Sequence, residues 1–159
     1  MTSTNPVIQL KQLLEQDLVT LSQLQATLAD ERKALDSRDT AVLQKITHDK
    51  DALLNQLRER ARSKVCTLVN IGYRPEKGHP GDFIRASGVR PLIDLWEQAE
   101  RGLRDVQFQN EVNGRVIGHL QRRLARLADI MRGKAQQPKL YGAQGQERSV
   151  GHTSVLASA

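Results

Sequence analysis

Apolar residues recur at helical spacing through the first part of the chain. Between about Pro6 and Asp36 they return every seven residues, as in a coiled-coil or long-bundle helix, at Val7, Leu14, Leu21, Leu28 and Leu35. Asp17 and Glu31 occupy two of the seam positions between these residues. Asn5 is a suitable N-cap for a helix that has Pro6 at its first position. The pattern therefore predicts a first long helix over this range.

A second helix is predicted from near Asp39, a plausible cap, to about Ile71, with Gly72 as the stop. Its inward line contains one lysine and runs through Leu43, Ile46, Lys50, Leu53, Leu57, Ala61, Val65 and Leu68. The short link between the two helices favours antiparallel neighbours. Residues 72–81 are rich in glycine and proline and predict a loop. Residues 82–87 predict one helical turn, with Phe83 and Ile84 covering the end of the bundle.

A third helix is predicted from about Arg90 to Arg132. Its inward line advances in steps of three and four through Leu92, Trp96, Ala99, Leu103, Val106, Asn110, Asn113, Ile117, Leu120, Leu124, Leu127 and Met131. Asn113-Gly114 is a turn-forming dipeptide, but the phase of the pattern does not change across it. One continuous helix is therefore favoured over two.

The remaining residues, 134–159, have a different character. They are rich in Gly, Gln, Ser and Ala and show no sustained apolar periodicity, which is typical of a flexible tail. We therefore predict an all-α fold, an elongated antiparallel bundle of three long coiled-coil-like helices with a possible short fourth helix. The bundle would comprise residues 1–133 and the tail residues 134–159.

Composition narrows the class of protein. Lys and Arg exceed Asp and Glu by 24 to 18, aromatic residues are 3%, and there is one cysteine, Cys66. A single cysteine excludes an intramolecular disulfide, and neither a signal peptide nor a stably inserted membrane segment is expected. A cytoplasmic location follows from these observations. The sequence also contains no recognisable catalytic, cofactor-binding or metal-binding motif, so we predict a protein that is not an enzyme and needs no cofactor.

Basic residues cluster in two places. One cluster lies near the end of the second helix and contains Arg58, Arg60, Arg62 and Lys64. The other lies in the second half of the third helix and contains Arg115, Arg122, Arg123, Arg126 and Arg132. Solvated helix faces are the favoured interpretation, with an acidic protein partner as the alternative. Aromatic residues do not interleave with these arginines, so no nucleic-acid partner is predicted.

Polar residues interrupt the apolar seams of all three helices. Asp17, Lys50, Asn110 and Asn113 would come to similar heights in an antiparallel arrangement. Such a layer weakens a core but sets the register of its helices. The alternative is an open groove that a partner helix completes, with Gly114 and Gly118 permitting close approach of another backbone.

Two short patterns resemble the FlgN-type flagellar export chaperones. The first is Asn-x-x-Asn-Gly-x-x-Ile in the third helix, formed by Asn110, Asn113, Gly114 and Ile117. The second is Leu-Tyr-Gly-x-x-Gly in the tail, formed by Leu140, Tyr141, Gly142 and Gly145. The helical leucine pattern before them fits the same family, and the resemblance covers nearly the whole chain.

The resemblance implies a cytoplasmic chaperone of flagellar type III secretion. Family members bind the C-terminal helices of hook-associated proteins, which form the hook–filament junction, prevent their premature assembly and deliver them to the export apparatus. Partner binding would fall on the tail, at Leu140, Tyr141, Gly142, Gly145, Val150 and Leu156. Asn110, Asn113, Gly114 and Ile117 would shape the bundle or its groove. A structural coiled-coil adaptor or homodimer is the first alternative, and a nucleic-acid-associated helical protein the second.

Overall fold

The computed structural model describes residues 5–132, together with the backbone of residues 140–141 and 147–148. Its α-helices are α1 (Pro6–Ser37), α2 (Thr40–Asn70), α3 (Pro80–Ala86) and α4 (Arg90–Met131), and a 3-10 turn spans Pro75–Lys77. The prediction of a helical chain is confirmed, and α4 continues through Asn113-Gly114 as predicted. Two short strands, β1 (Leu140–Tyr141) and β2 (Glu147–Arg148), pair antiparallel in the region predicted to be a flexible tail.

Local signals set the ends of the first two helices. The Asn5 side chain accepts a hydrogen bond from the Val7 N–H at 3.0 Å, and the Asp39 carboxylate accepts one from the Val42 N–H at 3.1 Å. Each bond satisfies a backbone donor that has no partner within its own helix. Arg38 ends α1 in the left-handed region, with φ of 57°. Gly72, with φ of 103°, follows α2 at the predicted stop.

The chain divides into two units, Met1–Gly118 and His119–Ala159. Within the first, α1 and α2 run antiparallel, because Lys50 pairs with Glu31 while Lys64 pairs with Asp17. The first part of α4 runs parallel to α1, because its successive residues join successive core clusters. One cluster contains Leu10, Leu14, Leu68, Tyr73, Ile84, Leu92 and Ala99, and the other Leu21, Leu24, Leu28 and Val106.

The segment around α3 closes one end of the first cluster. Ile84 is buried in it, and the ring of Phe83 packs on that of Tyr73 with centroids 5.6 Å apart. The Tyr73 hydroxyl donates a hydrogen bond to the Gly78 carbonyl at 2.9 Å. This bond holds the loop between α2 and α3 against the core. The predicted covering role of Phe83 and Ile84 is confirmed, within a helix that begins at Pro80.

Burial along α4 does not follow the apolar pattern to its end. Leu92, Ala99, Val106 and Asn113 are buried, and Ile117 is half-buried. At the end of α4, which belongs to the second unit, Leu124, Leu127 and Met131 are exposed. None of the helices in the described part of the chain combines the length and the apolarity required to cross a bilayer.

Candidate partner-binding site

Four of the polar seam residues meet in one place, which we call the asparagine layer: Glu31, Lys50, Asn110 and Asn113. The Lys50 ammonium donates to Glu31 Oε1 at 2.7 Å and to Asn110 Oδ1 at 3.2 Å. The Asn113 amide donates to Glu31 Oε2 at 2.8 Å and to the Leu28 carbonyl at 2.9 Å. The layer therefore connects α1, α2 and α4 through a single carboxylate.

The asparagine layer leaves no buried side chain unsatisfied. Glu31 and Asn113 are buried, and within the described residues every buried side-chain nitrogen and oxygen has a hydrogen-bond partner. A buried polar group without a partner is costly, so a slipped register would strand Glu31 or Asn113 in an apolar environment. The contacts thus favour one alignment of α4 on α1.

Asp17 does not join this layer, contrary to the prediction that the seam polar residues lie at similar heights. It lies between the two core clusters along α1 and forms a second group, the aspartate layer, with Thr20, Arg60 and Lys64. Arg60 Nε donates to Asp17 Oδ1 at 2.7 Å, and the Lys64 ammonium pairs with Oδ2. The reason is geometric: α1 and α2 are antiparallel, so residues far apart along α1 meet opposite ends of α2.

The aspartate layer also corrects the predicted inward line of α2. Ala61 and Val65 were expected inside but are exposed, whereas Arg60 and Lys64, assigned to a solvated basic cluster, turn inward. A buried carboxylate without a cation costs more than exposing one valine. A signal was present in the sequence: Arg60 and Lys64 are four residues apart, and Asp17 stands at a seam position.

Because α2 is rotated in this way, an apolar groove opens beside it. The groove has a volume of about 450 Å³. Its base is formed by Leu14 and Leu21 of α1, and its walls belong to α2 and the beginning of α4. The wall residues are mainly apolar and include Leu57, Ala61, Val65, Leu68, Trp96, Ala99 and Leu103. We call this the α2–α4 groove.

Charged residues stand at the edges of the α2–α4 groove. Arg58 and Lys64 lie on the α2 side and Glu100 on the α4 side. Lys64 is 5.8 Å from the ring centroid of Trp96, and the Trp96 indole N–H donates to Glu100 at 2.9 Å. Sequence reasoning missed this groove, because it assigned Val65 and Leu103 to the core.

A second recess, of about 280 Å³, lies between α1 and α4 beside the asparagine layer. Leu28, Phe108, Val112 and Asn113 are among its lining residues. A methyl group at Gly114 would meet no atom within 4 Å, so this part of α4 is open to approach. The recess lies beside the asparagines for which an open groove was the alternative to a register-setting layer, and partner binding there stays a prediction.

The predicted tail residues fall largely outside the described part of the chain. Leu140 and Tyr141 form β1, in which they face Arg148 and Glu147 of β2. Gly142, Gly145, Val150 and Leu156 lie outside the described residues. Their part in partner binding stays a prediction.

The chain matches a protein family over a range that contains nearly all of the features described above. The family described as FlgN protein matches residues 3–149, a range that includes both grooves, both polar layers and the Leu-Tyr-Gly segment. The chain belongs to the FlgN family. No curated protein and no solved structure matches it. Membership in the FlgN family implies a role as a flagellar export chaperone.

Proposed function

We propose that this FlgN-family chain is a cytoplasmic chaperone that binds the C-terminal helices of hook-associated proteins. It would prevent their premature assembly at the hook–filament junction and deliver them to the flagellar type III export apparatus. In this proposal residues 1–133 are the helical domain of the chaperone. The tail, residues 134–159, would contribute Leu140, Tyr141, Gly142, Gly145, Val150 and Leu156 to the client.

The open α2–α4 groove is the observation that carries this proposal. An amphipathic client helix has an apolar face that aggregates or assembles when exposed, and an apolar groove between helices can cover such a face. Val65 and Leu103 are 44% and 43% exposed on opposite walls of the groove. They would lose this exposure when a client helix is bound.

The polar layers support the same function in a different way. A chaperone with an open groove lacks part of the packing that a closed core supplies to its helices. The hydrogen bonds of Asn113 and the ion pairs of Asp17 align α1, α2 and α4 although no helix of this chain fills the groove. Asn110, Asn113, Gly114 and Ile117 would thus maintain the groove and its flanking recess.

Co-purification with the C-terminal helical segments of hook-associated proteins tests the proposal. The full chain is compared with a form that ends at Gly133 and with two full-length variants, Val65→Glu and Val69→Glu. Val65 lines the groove and Val69 does not, although they lie one turn apart on α2 and are 44% and 47% exposed. Val69→Glu is therefore a matched control for the added charge.

We expect the full chain and Val69→Glu to retain the client, and Val65→Glu to lose most of it. Loss with the form ending at Gly133 would place a necessary contact in the tail, whereas retention would leave the groove as the main site. Equal capture by Val65→Glu and Val69→Glu would remove the groove from the proposal. Failure of the folded full chain to capture any of these segments would overturn the proposal and favour a structural coiled-coil adaptor.

A further inference from the structure

The dimensions of the α2–α4 groove limit the kind of occupant that it can hold. Its α2 wall extends from Leu57 to Leu68, a distance of about 16 Å at the rise of an α-helix. Apolar side chains on one face of a helix recur about every 5 Å along its axis. A helix in the groove would therefore bury an apolar face of about three turns.

The shape of the groove favours a protein helix over a flat surface. Leu14 and Leu21 form its base, below walls that α2 and α4 supply, so the apolar surface is recessed. A row of side chains on an amphipathic helix can enter such a recess. Val65 and Leu103, on opposite walls, are both exposed, and a helix about 10 Å across is wide enough to cover the two together.

Four charged residues line the groove, and three of them already have charged partners within the chain. Asp17 and Lys64 pair with each other. Glu100 accepts a hydrogen bond from the Trp96 indole N–H at 2.9 Å and lies 3.8 Å from the Arg85 guanidinium. These three charges are therefore compensated before any partner binds.

Arg58 is the fourth charged residue, and its environment is different. Its guanidinium donates to Asn55 Oδ1 at 2.9 Å on the same helix, and it forms no ion pair within residues 5–132. A guanidinium has five N–H donors, so most of those of Arg58 stay available to a partner. Arg58 is exposed and lies on the α2 side of the groove, next to Leu57. The structure thus leaves one positive charge at this edge that a bound helix can neutralise.

We propose that the α2–α4 groove selects a client helix whose flank next to α2 is acidic, and that Arg58 binds a carboxylate on this flank. The inference rests on the proposed function, because the occupant is the client helix. Apolar walls bind any amphipathic helix, whereas a charge at the edge distinguishes between helices of different charge. The guanidinium suits this role because it can bind a carboxylate through two parallel hydrogen bonds.

Two synthetic amphipathic peptides test this inference with the full chain. Both are about four turns long, lack tryptophan and share one leucine face. The first has glutamate on one flank and glutamine on the other, and the second has lysine in place of glutamate. Binding is measured by the fluorescence of Trp96, because Trp96 lines the groove and is the single tryptophan of the chain.

Arg62 provides the matched control for Arg58. It lies one turn further along α2, is also exposed and does not line the groove. Its ion pair with Glu59 is exposed on both sides and contributes little to stability. Arg58→Gln and Arg62→Gln therefore lower the net charge equally, and only the first changes the edge of the groove.

We expect the parent chain to bind the glutamate peptide more tightly than the lysine peptide. An ion pair at the edge of an interface contributes up to about fivefold in affinity, so Arg58→Gln should weaken the glutamate peptide by about this factor. Arg62→Gln should weaken it by less than about twofold. The reversed charge should reverse the preference, so Arg58→Glu should bind the lysine peptide more tightly than Arg62→Glu does.

Three results would overturn the inference: equal affinity of the parent chain for the two peptides, equal losses in Arg58→Gln and Arg62→Gln, or no change of Trp96 fluorescence with the glutamate peptide. Equal losses would mean that the overall positive charge, and not Arg58, attracts the peptide. Circular dichroism of each variant checks that helix content is unchanged, as expected for substitutions at exposed positions.

The peptide experiment and the co-purification fail independently of each other. Capture of hook-associated segments without any charge preference of the groove would overturn this inference alone. A charge preference that depends on Arg58, together with no capture of these segments, would overturn the proposed function and confirm that the groove selects an acidic helix.

Discussion

The aspartate layer gives the sharpest test of how the first unit is held together. Asp17 is 2% exposed and pairs with Arg60 and Lys64, whose side chains are 15% and 17% exposed. Asp17→Asn keeps the shape of the side chain but leaves both cations without a counter-charge. The substitution should therefore destabilise the protein through these two residues.

The size of the expected loss of stability follows from the burial of Asp17, Arg60 and Lys64. Breaking a buried ion pair costs about 3–5 kcal/mol, because the remaining charge is left uncompensated. Arg60 and Lys64 retain some access to water, which places the expected loss near the lower end, about 3 kcal/mol. For a unit of this size, such a loss corresponds to a decrease in Tm of about 10 °C.

Urea denaturation and thermal melting, both followed by circular dichroism, measure this loss. Glu15→Gln is the control, because Glu15 pairs with Lys11 at 3.8 Å with both side chains about half exposed. An exposed pair of this kind contributes about 0.2–1 kcal/mol at most. A stability of Asp17→Asn within 1 kcal/mol of the parent chain would refute the assigned role of the aspartate layer.

A triple variant tests whether unpaired cations cause the loss of stability in Asp17→Asn. Asp17→Leu, Arg60→Met and Lys64→Met together replace the layer by apolar side chains that would join the two core clusters. Replacing a complete buried ion group in this way is often neutral or stabilising by about 1–4 kcal/mol. If the triple variant were as unstable as Asp17→Asn, the loss in the single variant would not come from unpaired cations.

Three further predictions concern α4 and the tail. Gly114→Ala should raise the free energy of unfolding by about 1 kcal/mol in urea denaturation, since the position is helical and open. If a partner approaches α4 at this position, the same substitution should also weaken client capture in co-purification. The form ending at Gly133 should keep the helix content and melting temperature of the full chain by circular dichroism, and unfolding would show that the tail is structural. Tyr141→Ala should weaken client capture more than Arg123→Ala, and the reverse order would move the client site to the basic face of α4.

The secondary structure was largely determined by local features of the sequence. Asn5 and Asp39 begin their helices through side-chain bonds to residues two and three positions away, so the signal and its effect are adjacent in the chain. The unbroken phase across Asn113-Gly114 correctly predicted one helix, because a glycine weakens a helix by only about 1 kcal/mol while the apolar line continues on both sides. The family resemblance also rested on local spacing, and the match over residues 3–149 confirms it.

The candidate site depended on contacts that no local pattern contains. Periodicity placed Val65 inside and Lys64 outside, but the carboxylate of Asp17, on another helix, reversed the two. The α2–α4 groove exists because of that reversal. A heptad pattern records which residues are apolar, but it does not record where a charge on a neighbouring helix needs its partner.

The same distinction explains the end of α4. The sequence by itself determined that Leu124, Leu127 and Met131 continue the apolar line, and it determined the helix that contains them. Only the tertiary structure decided that Leu92, Ala99, Val106 and Asn113 on this line are buried, whereas Leu124, Leu127 and Met131 are exposed. The physical reason is that amphipathicity is a property of one helix, whereas burial requires a second surface to cover it.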